Sequence, residues 1–346
     1  MSTALHQHLA AILKSKGSFL ELIHRPTPTP GPDELLIEVK SIALNPADHA
    51  QRDLGILIAS YPIILGSDVA GIVISTGSSV SPQFKAGDRV LAFVSAYFEN
   101  SNLDYGAFQT RVLAKEWMTT PLPDSMSFSE GAMMPMAVST SSMGMYTLGI
   151  YRDMMYSAAD KRGMLVWGGA SSIGSATLQT AKLKGFRVYA TASPKNHELL
   201  KSLGASHVFD YHDVDVVEKI VKTAKEEGII LDVGFDAVGQ LQSCLDILKE
   251  FRADGKAKLA EAIPQREDSI KEEGVEVGFK VPWNSNEAQR EHFQYTFNIW
   301  LKEKLEKGKF VPSPRLQVVE GGLESLDKYL DVLKAGVSGV KLVLEI

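Results

Sequence analysis

Up to about residue 130, apolar and polar positions alternate in short runs that turn residues separate. The runs include LLIEVKSIAL, VAGIVISTG and DRVLAF, and the Pro-rich stretch PTPTPGPDE precedes the first of them. Alternation with a period of two over short segments bounded by Pro and Gly is typical of β-strands joined by turns. The first part of the chain is therefore predicted to form a β-rich domain.

From about residue 163 the pattern changes to apolar strands that alternate with amphipathic helices. Residues 164–167 are predicted to form a strand, and residues 172–184 a helix that ends at Gly185 with lysines in its last turn. FRVYAT is the next strand, and SPKNHELLKSLG is a helix with Ser193 as its N-cap and Pro194 as its first residue. HVFD, IILDVGFD, AKLAEA and VEVGFK continue the alternation. This pattern predicts a doubly wound parallel sheet of the α/β class.

The last part of the chain departs from the regular alternation of strands and helices. It contains a predicted helix over 293–307, an amphipathic helix over 323–333 and the closing strand KLVLEI. We therefore predict two domains: a discontinuous β-rich domain of residues 1–130 and 284–346, and a dinucleotide-binding domain of residues 131–283.

Composition narrows the class of ligand. A chain of 346 residues with 45% hydrophobic and 23% charged residues suits two globular domains. A net charge of −6 without a long basic run argues against nucleic acid and against a membrane surface as partners, so a small molecule is expected. The first residues lack a signal-peptide pattern, which leads us to expect a cytoplasmic protein. Cys244 is the single cysteine, which excludes an intramolecular disulfide and a site of several thiolates.

The stretch LVWGGASSIG, at the end of the first central strand, has three interpretations. It is a dinucleotide turn in which Ser171 replaces the middle glycine, a nucleophile elbow, or a strand-to-helix turn without a ligand. The elbow requires G-x-S-x-G, and Ile173 stands where its last glycine should be. Small residues and helix N-terminal N–H groups suit a pyrophosphate, and Ser171 could add a hydroxyl contact. The predicted cofactor-binding residues are Gly169, Ala170, Ser171, Ser172, Ile173 and Gly174.

The end of the following strand indicates which nucleotide binds. An NAD site places Asp or Glu there for the ribose hydroxyls, whereas ATASPKN has no carboxylate before Glu198. Ser193 and Lys195 would instead bind a 2′-phosphate, which predicts NADPH. The alternative is that Ser193 is only an N-cap and Lys195 only a solvated charge.

Six segments together resemble the medium-chain dehydrogenase/reductase superfamily. They are IALNPADHAQRD, YPIILGSDVAGIV, FKAGDRVLAF, LVWGGASSIGSATLQTAKLKG, ATASPKNHELLKSLGA and SGVKLVLEI. The resemblance is greatest to the zinc-free quinone oxidoreductase and enoyl reductase branch, including its fungal stand-alone enoyl reductase-like members. It implies a Rossmann domain joined to a GroES-like domain.

The metal ligands of the zinc-dependent members are not present in this sequence. The positions that match their catalytic ligand segments hold Asn45, Ser67, Asp68 and Met136, and the region near 93–112 lacks the cysteines of a structural zinc lobe. We therefore predict that no metal binds. Without a Lewis acid, hydride transfer to an activated C=C bond or a quinone is easier than oxidation of an alcohol. The alternatives are an NADP-dependent alcohol or ketone oxidoreductase and a non-catalytic NADPH-binding relative.

The resemblance implies further site residues. Thr140 matches the position that meets the nicotinamide, Tyr211 a tyrosine beside the 2′-phosphate, Gly239 a residue beside the nicotinamide ribose, and Lys341 a basic residue that meets a cofactor phosphate. The alternatives are that Tyr211 is only a loop aromatic and Lys341 only a surface charge beside the last strand.

Two residues of the β-rich domain are candidates for catalysis together with Thr140. Asn45 binds a substrate oxygen or caps the turn before Pro46, and Tyr61 donates a proton or packs at a strand entry. Segments 95–105 and 282–292 are predicted to shape the substrate pocket, whose substrate the sequence does not identify. A homodimer is expected from the resemblance, and a biosynthetic synthase partner is left open.

Overall fold

The computed structural model describes residues 7–252, 256–262 and 270–346. The chain divides into two compact units, one of Met1–Met136 with Arg290–Ile346 and the other of Ala137–Gln289. Both division points lie within helices, Pro135–Thr147 and Asn286–Phe293. They fall a little later in the chain than the predicted boundaries at 130/131 and 283/284, because a continuous helix carries no local signal of where one unit ends.

The first unit begins with strands and three helices. The strands are β1 (Gln7–Ile12), β2 (Glu21–Pro26), β3 (Glu34–Ala43), β4 (Asp68–Thr76), β5 (Arg89–Phe93), β6 (Arg111–Lys115) and β7 (Thr119–Pro121). The helices are α1 (Pro46–Leu54), α2 (Phe128–Ala132) and α3 (Pro135–Thr147), the last of which leads into the second unit.

The second unit alternates strands and helices. Its strands are β8 (Gly163–Trp167), β9 (Arg187–Thr191), β10 (His207–Phe209), β11 (Val233–Asp236), β12 (Ala257–Glu261) and β13 (Val275–Gly278). Its helices are α4 (Ser172–Leu183), α5 (His197–Leu203), α6 (Val216–Glu226) and α7 (Leu241–Leu248). The strands form a parallel sheet in the order β10-β9-β8-β11-β12-β13. This is the doubly wound Rossmann order, so the predicted fold class is confirmed.

The end of the chain returns to the first unit. It comprises α8 (Asn286–Phe293), a π-helix (Gln294–Leu301), α9 (Lys302–Glu306), β14 (Arg315–Val319), α10 (Leu326–Ala335) and β15 (Val340–Glu345). β15 joins β14 to β3, so the chain's last strand completes a sheet ordered β14-β15-β3-β4-β5-β7, with β6 also paired to β3. A separate hairpin pairs β1 with β2.

The helix predicted over 293–307 differs from the structure in its start and its winding. It begins at Asn286, and its middle is the π-helix. Within it, the Asn298 amide donates to the carbonyls of Glu116 (3.1 Å) and Thr119 (2.6 Å), and the Thr120 hydroxyl donates to the Phe297 carbonyl (2.8 Å). These long-range bonds accompany the wider winding, which the local sequence pattern does not indicate.

Apolar side chains fill both faces of the parallel sheet. One face packs against α4 and α5, with Leu178 and Leu200 fully buried, and the other against α6 and α7, with Ile220 and Ile247 fully buried. A further core lies within the first unit, around the strands β3 and β4. Among the helices that the structure describes, none combines the length and apolar character needed to cross a membrane.

Candidate cofactor site and buried ionic cluster

The turn between β8 and α4 is shaped by its glycines. Gly168 has a φ of +78°, a left-handed conformation that favours glycine. A Cβ at Gly174 would lie 2.3 Å from the Gly168 carbonyl oxygen, so only glycine allows α4 to start this close to the end of β8. The Gly168 and Gly169 N–H groups donate to the Thr191 hydroxyl (3.0 Å) and carbonyl (2.9 Å) at the end of β9. Our sequence interpretation missed Gly168 and Thr191; the Gly-Gly pair was the available signal.

The Ser171 hydroxyl forms hydrogen bonds within the turn. It accepts a hydrogen bond from the Gly174 N–H (3.0 Å) and donates its own proton to the Gly168 carbonyl (2.9 Å). Its single proton is therefore used within the turn, where Ser171 acts as the N-cap of α4. A phosphate contact by Ser171 stays a prediction, for a hydroxyl whose proton is used within the turn. The serine at this position therefore stabilises the turn through two hydrogen bonds of its hydroxyl.

The first turn of α4 retains donors for an anion. The N–H groups of Ser172 and Ile173 have no hydrogen-bond partner in residues 7–252, 256–262 and 270–346. Ala170 and Ile173 pack their side chains against the core below the turn. Backbone N–H groups at a helix N-terminus, directly after a parallel strand, suit a pyrophosphate.

The ends of β9 and β10 bring the predicted 2′-phosphate residues to one edge of the sheet. Thr191 and Phe209 are register partners, and Ser193 and Tyr211 each follow two residues later. The Ser193 hydroxyl accepts a hydrogen bond from the Asn196 side chain (3.2 Å), so Asn196 orients it. The Tyr211 ring is partly exposed and packs against His212.

The charged residues after β9 are an exposed lysine, Lys195, and a glutamate, Glu198, that pairs with a lysine. Lys195 is exposed in the short turn Pro194–Asn196, and Ser193 precedes that turn as its N-cap. Glu198 lies in α5, where Lys201 binds its carboxylate (2.8 Å). The nearest carboxylate after β9 is therefore already paired with a cation.

A second turn at the same edge follows β11. Asp236 is fully buried, and its Oδ1 accepts hydrogen bonds from the N–H groups of Val238 (3.0 Å) and Gly239 (2.9 Å). Burial raises the pKa of Asp236. Gly239 has a φ of +81°, so the turn depends on a glycine at this position. Its contact with the nicotinamide ribose stays a prediction.

Within the first unit, four polar side chains form a buried cluster of Asn45, Asp48, Asp68 and Lys341. Each is at most 3% exposed. Asp68 Oδ2 accepts hydrogen bonds from Asn45 Nδ2 (2.8 Å) and Lys341 Nζ (3.1 Å), and Lys341 Nζ also donates to Asn45 Oδ1. Asp68 Oδ1 accepts the Met136 N–H (2.6 Å). Residues from β4, β15, α3 and the start of α1 thus meet around one carboxylate.

Asp48 is the fourth member of the cluster and carries an unusual carboxyl group. Its Oδ2 accepts the Asn45 N–H (2.7 Å), whereas its buried Oδ1 has no partner among the described residues. Burial raises its pKa from the ordinary 3.8 to about 7; the Asn45 N–H and the charge of Lys341 oppose this rise, and the charge of Asp68 adds to it. The sequence interpretation did not single out Asp48.

Within the cluster, both ends of the Asn45 side chain have protein partners. Its amide donates to Asp68 and to the Ala43 carbonyl (3.4 Å), and its carbonyl oxygen accepts from Lys341. A contact between Asn45 and a substrate oxygen stays a prediction, for an amide that is already bound to Asp68 and Lys341. The alternative, a local role at the start of α1, agrees with its position as the N-cap of that helix.

Tyr61 lies at the opposite end of α1. Its hydroxyl is 2.9 Å from the point where a Cβ would stand on Gly55, the C-cap of the helix. With a rise of 1.5 Å per residue, Asn45 and Gly55 are about 15 Å apart. Asn45 and Tyr61 therefore lie near opposite ends of α1. Tyr61 is 37% exposed, and its role as a proton donor stays a prediction.

The two remaining candidates, Thr140 and Lys341, differ in how accessible they are to a ligand. Thr140 is half-buried in α3, one turn after Met136. The Lys341 side chain is 4% exposed and its charge faces Asp68, whereas a phosphate ligand was expected to be accessible. A phosphate contact by Lys341 stays a prediction, now for an ammonium group that already has two protein partners.

The buried cluster does not fit a zinc ion. Zinc binds three or four thiolate, imidazole or carboxylate ligands, and the cluster contains two such groups, the carboxylates of Asp48 and Asp68. The Lys341 ammonium lies within hydrogen-bond distance of Asn45 and Asp68, so a cation is already provided by the protein. In the described part of the chain, no group of three His, Cys, Asp or Glu side chains is arranged to hold a metal.

Two dehydrogenase family models and several fungal reductases match this chain. A family model described as alcohol dehydrogenase GroES-like domain matches residues 31–124, and one described as zinc-binding dehydrogenase matches residues 172–260. The chain is 44% identical to trans-enoyl reductase tndF of Aspergillus flavipes, over 98% of this chain and 99% of the relative. It is 47% identical to trans-enoyl reductase tazE of Aspergillus terreus, over 80% and 92% of the two chains.

Solved structures share the fold. The chain resembles a quinone oxidoreductase from Pseudomonas syringae with a TM-score of 0.74 and 22% identity, over 98% of this chain and 100% of that one. It resembles the CurK enoyl reductase with a TM-score of 0.72 and 22% identity, over 98% and 99% of the two chains.

Proposed function

Since the chain belongs to the medium-chain dehydrogenase/reductase superfamily, in its enoyl reductase branch, we propose that it is an NADPH-dependent reductase of activated carbon–carbon double bonds. Family membership makes it an oxidoreductase that uses a nicotinamide cofactor. The finer proposal concerns NADPH as that cofactor and an enone or enoyl thioester as the acceptor, with a quinone as the other acceptor that such a site could reduce.

The turn after β8 is the observation that carries the proposal. Two N–H groups without a partner among the described residues, those of Ser172 and Ile173, stand at the start of α4, and Gly174 leaves room for close approach of a ligand. Backbone N–H groups at a helix N-terminus are suited to bind a pyrophosphate, which supports the proposal. Ser193, Lys195 and Tyr211, at the ends of the neighbouring strands, would hold the 2′-phosphate. When bound, the nicotinamide supplies the hydride.

The chemistry of the acceptor follows from the donor set around Asp68. A ketone reductase of the zinc type polarises its substrate with a metal, and these residues do not fit one. A conjugated double bond needs less polarisation, because the negative charge that develops after hydride addition is delocalised onto the carbonyl oxygen and is stabilised by hydrogen bonds. The names of the two fungal relatives agree with this choice. The homodimer and the synthase partner remain predictions from the resemblance.

A binding and turnover experiment tests the proposal. The purified protein is titrated with NADPH and NADH by nicotinamide fluorescence, and NADPH oxidation is then followed with an enone, an enoyl thioester, a quinone and the matching saturated ketone. We expect selective NADPH binding and turnover with an activated alkene or quinone. Turnover with the saturated ketone would instead indicate an alcohol or ketone oxidoreductase, and binding without turnover a non-catalytic relative.

Cofactor selectivity has its own variants. Lys195→Ala removes a charge expected at the 2′-phosphate and should weaken NADPH binding about 10- to 100-fold, with little change for NADH. Lys201→Ala is the matched control, because Lys201 lies in the following helix and pairs with Glu198. Equal losses of NADPH and NADH affinity in Lys195→Ala would refute the assignment of the 2′-phosphate site.

A further inference from the structure

We infer that the ion pair of Lys341 and Asp68 is a positioning element for α3, the helix that carries Thr140. The inference rests on the proposed function, because Thr140 matters for catalysis only if it meets the nicotinamide. It gives the buried cluster a role in place of a metal site, and it gives Lys341 a role other than phosphate binding.

The first step concerns the start of α3, which has no cap of its own. Met133 and Met134 precede Pro135, and their side chains carry no oxygen to accept a helix N–H. Asp68 takes this role from a distant strand, since its Oδ1 accepts the Met136 N–H at 2.6 Å. A carboxylate at this position also interacts favourably with the positive end of the helix dipole.

The second step is that Lys341 pairs with this carboxylate and holds it in place. Asp68 is fully buried, and its Oδ2 accepts from Lys341 Nζ and from Asn45 Nδ2. A buried carboxylate without a cationic partner is strongly disfavoured. Loss of the Lys341 ammonium should therefore also disturb the hydrogen bond between Asp68 Oδ1 and the Met136 N–H.

The third step connects the cap to Thr140. Met136 and Thr140 are four residues apart in α3, so they lie on the same face in successive turns. Fixing the Met136 N–H therefore fixes the turn that presents Thr140. A small displacement of a group that contacts the cofactor is costly to the rate, because hydride transfer depends on alignment of the reacting atoms.

The experiment compares five proteins: wild type, Lys341→Met, Lys341→Arg, the double variant Lys341→Met/Asp68→Leu, and the control Lys334→Met. Lys334 also pairs with an aspartate, Asp53, but on the surface. For each protein we would measure NADPH affinity, the single-turnover rate of NADPH oxidation, its primary deuterium isotope effect, thermal stability and amide hydrogen exchange of the peptide that contains Met136.

The expected results separate positioning from simple loss of folded protein. In Lys341→Met the single-turnover rate should fall about 10- to 100-fold with a larger isotope effect, while NADPH affinity stays within about twofold of wild type. Exchange at the start of α3 should accelerate. Lys341→Arg should recover most of the rate, and Lys334→Met should behave as wild type. The double variant, which removes both charges of the pair, should regain thermal stability but not the rate.

Three outcomes would overturn the inference. A wild-type rate with weaker NADPH binding in Lys341→Met would make Lys341 a phosphate ligand. A wild-type rate in the double variant would show that the two residues only neutralise each other's charge and do not position α3. Unchanged exchange at Met136 in Lys341→Met, or in the double variant if the single variant does not fold, would show that the pair does not anchor α3. The exchange measurement also decides the matter if the wild type turns over no acceptor, a result that would count against the proposed function alone.

Discussion

Asp48 lowers the stability of the folded protein as the pH rises, and its replacement by Asn should remove this pH dependence. Its carboxyl group is fully buried, has one unpartnered oxygen, and lies beside Asp68 and Lys341, the charged groups that act on it. Replacement by Asn keeps an oxygen that can accept the Asn45 N–H and removes the group that ionises. We predict that Asp48→Asn becomes more stable relative to wild type as the pH rises.

The magnitude follows from the two pKa values. Burial raises the pKa from 3.8 to about 7 in the folded protein, whereas the unfolded chain keeps the ordinary value. Because the folded state holds the proton more tightly, the stabilisation is fully present below pH 3.8 and is lost as the pH rises towards 7. A difference of about 3 pKa units corresponds to about 4 kcal/mol in total. Between pH 5 and pH 8 the part that is lost amounts to about 2–3 kcal/mol.

Urea unfolding of both proteins at pH 5, 6, 7 and 8 measures this difference. Other titrating groups are common to the two proteins and cancel in the comparison. The free energy of unfolding of Asp48→Asn minus that of wild type should increase by about 2–3 kcal/mol across the series.

Asp53→Asn is the matched control, because Asp53 lies in the same helix and its pKa is lowered to about 2 by the hydrogen bonds from Arg52 and Lys334. Its stabilisation is lost only as the pH falls below the ordinary value, so this variant should show no trend between pH 5 and 8. If the curves of Asp48→Asn and wild type run parallel from pH 5 to 8, the assigned protonation of Asp48 is wrong.

Three further predictions concern single residues. Ser171→Ala removes the N-cap of α4 and should lower the free energy of unfolding by about 1 kcal/mol, whereas Ser171→Asn should retain most of it; equal losses in urea unfolding would contradict the capping role. Gly174→Ala places a Cβ 2.3 Å from the Gly168 oxygen and should abolish nucleotide binding in the fluorescence titration, and wild-type affinity would show that this turn is not the site. Cys244 is fully buried with a pKa raised by burial, so a thiol reagent should label it only in urea, and rapid labelling of the folded protein would contradict its placement.

Local patterns in the sequence were sufficient for the architecture. The change from alternating strands to strand–helix units near residue 163 predicts the parallel sheet, since each strand and helix buries a face whose periodicity is written in consecutive residues. The glycine turn was also predictable, because its backbone conformation depends on the residues within the turn itself. The predicted helix start at Ser193–Pro194 came too early, since residues Pro194–Asn196 form a 3-10 turn and α5 begins at His197. The lack of a carboxylate after β9 is likewise a property of a few neighbouring positions.

The partners of polar side chains were decided by the tertiary structure. Lys341 and Asp68 are 273 positions apart and meet only because β15 completes the sheet that contains β4. The sequence left Asn45 open between a substrate ligand and a turn cap, and the resemblance implied a phosphate ligand at Lys341. The folded chain brings both residues to Asp68. In the same way, long-range hydrogen bonds to Asn298 and Phe297 accompany a π-helix where the local pattern predicts an ordinary one. Periodicity reports which face of an element is buried, but which groups meet there depends on contacts between distant segments, and those contacts form only in the folded chain.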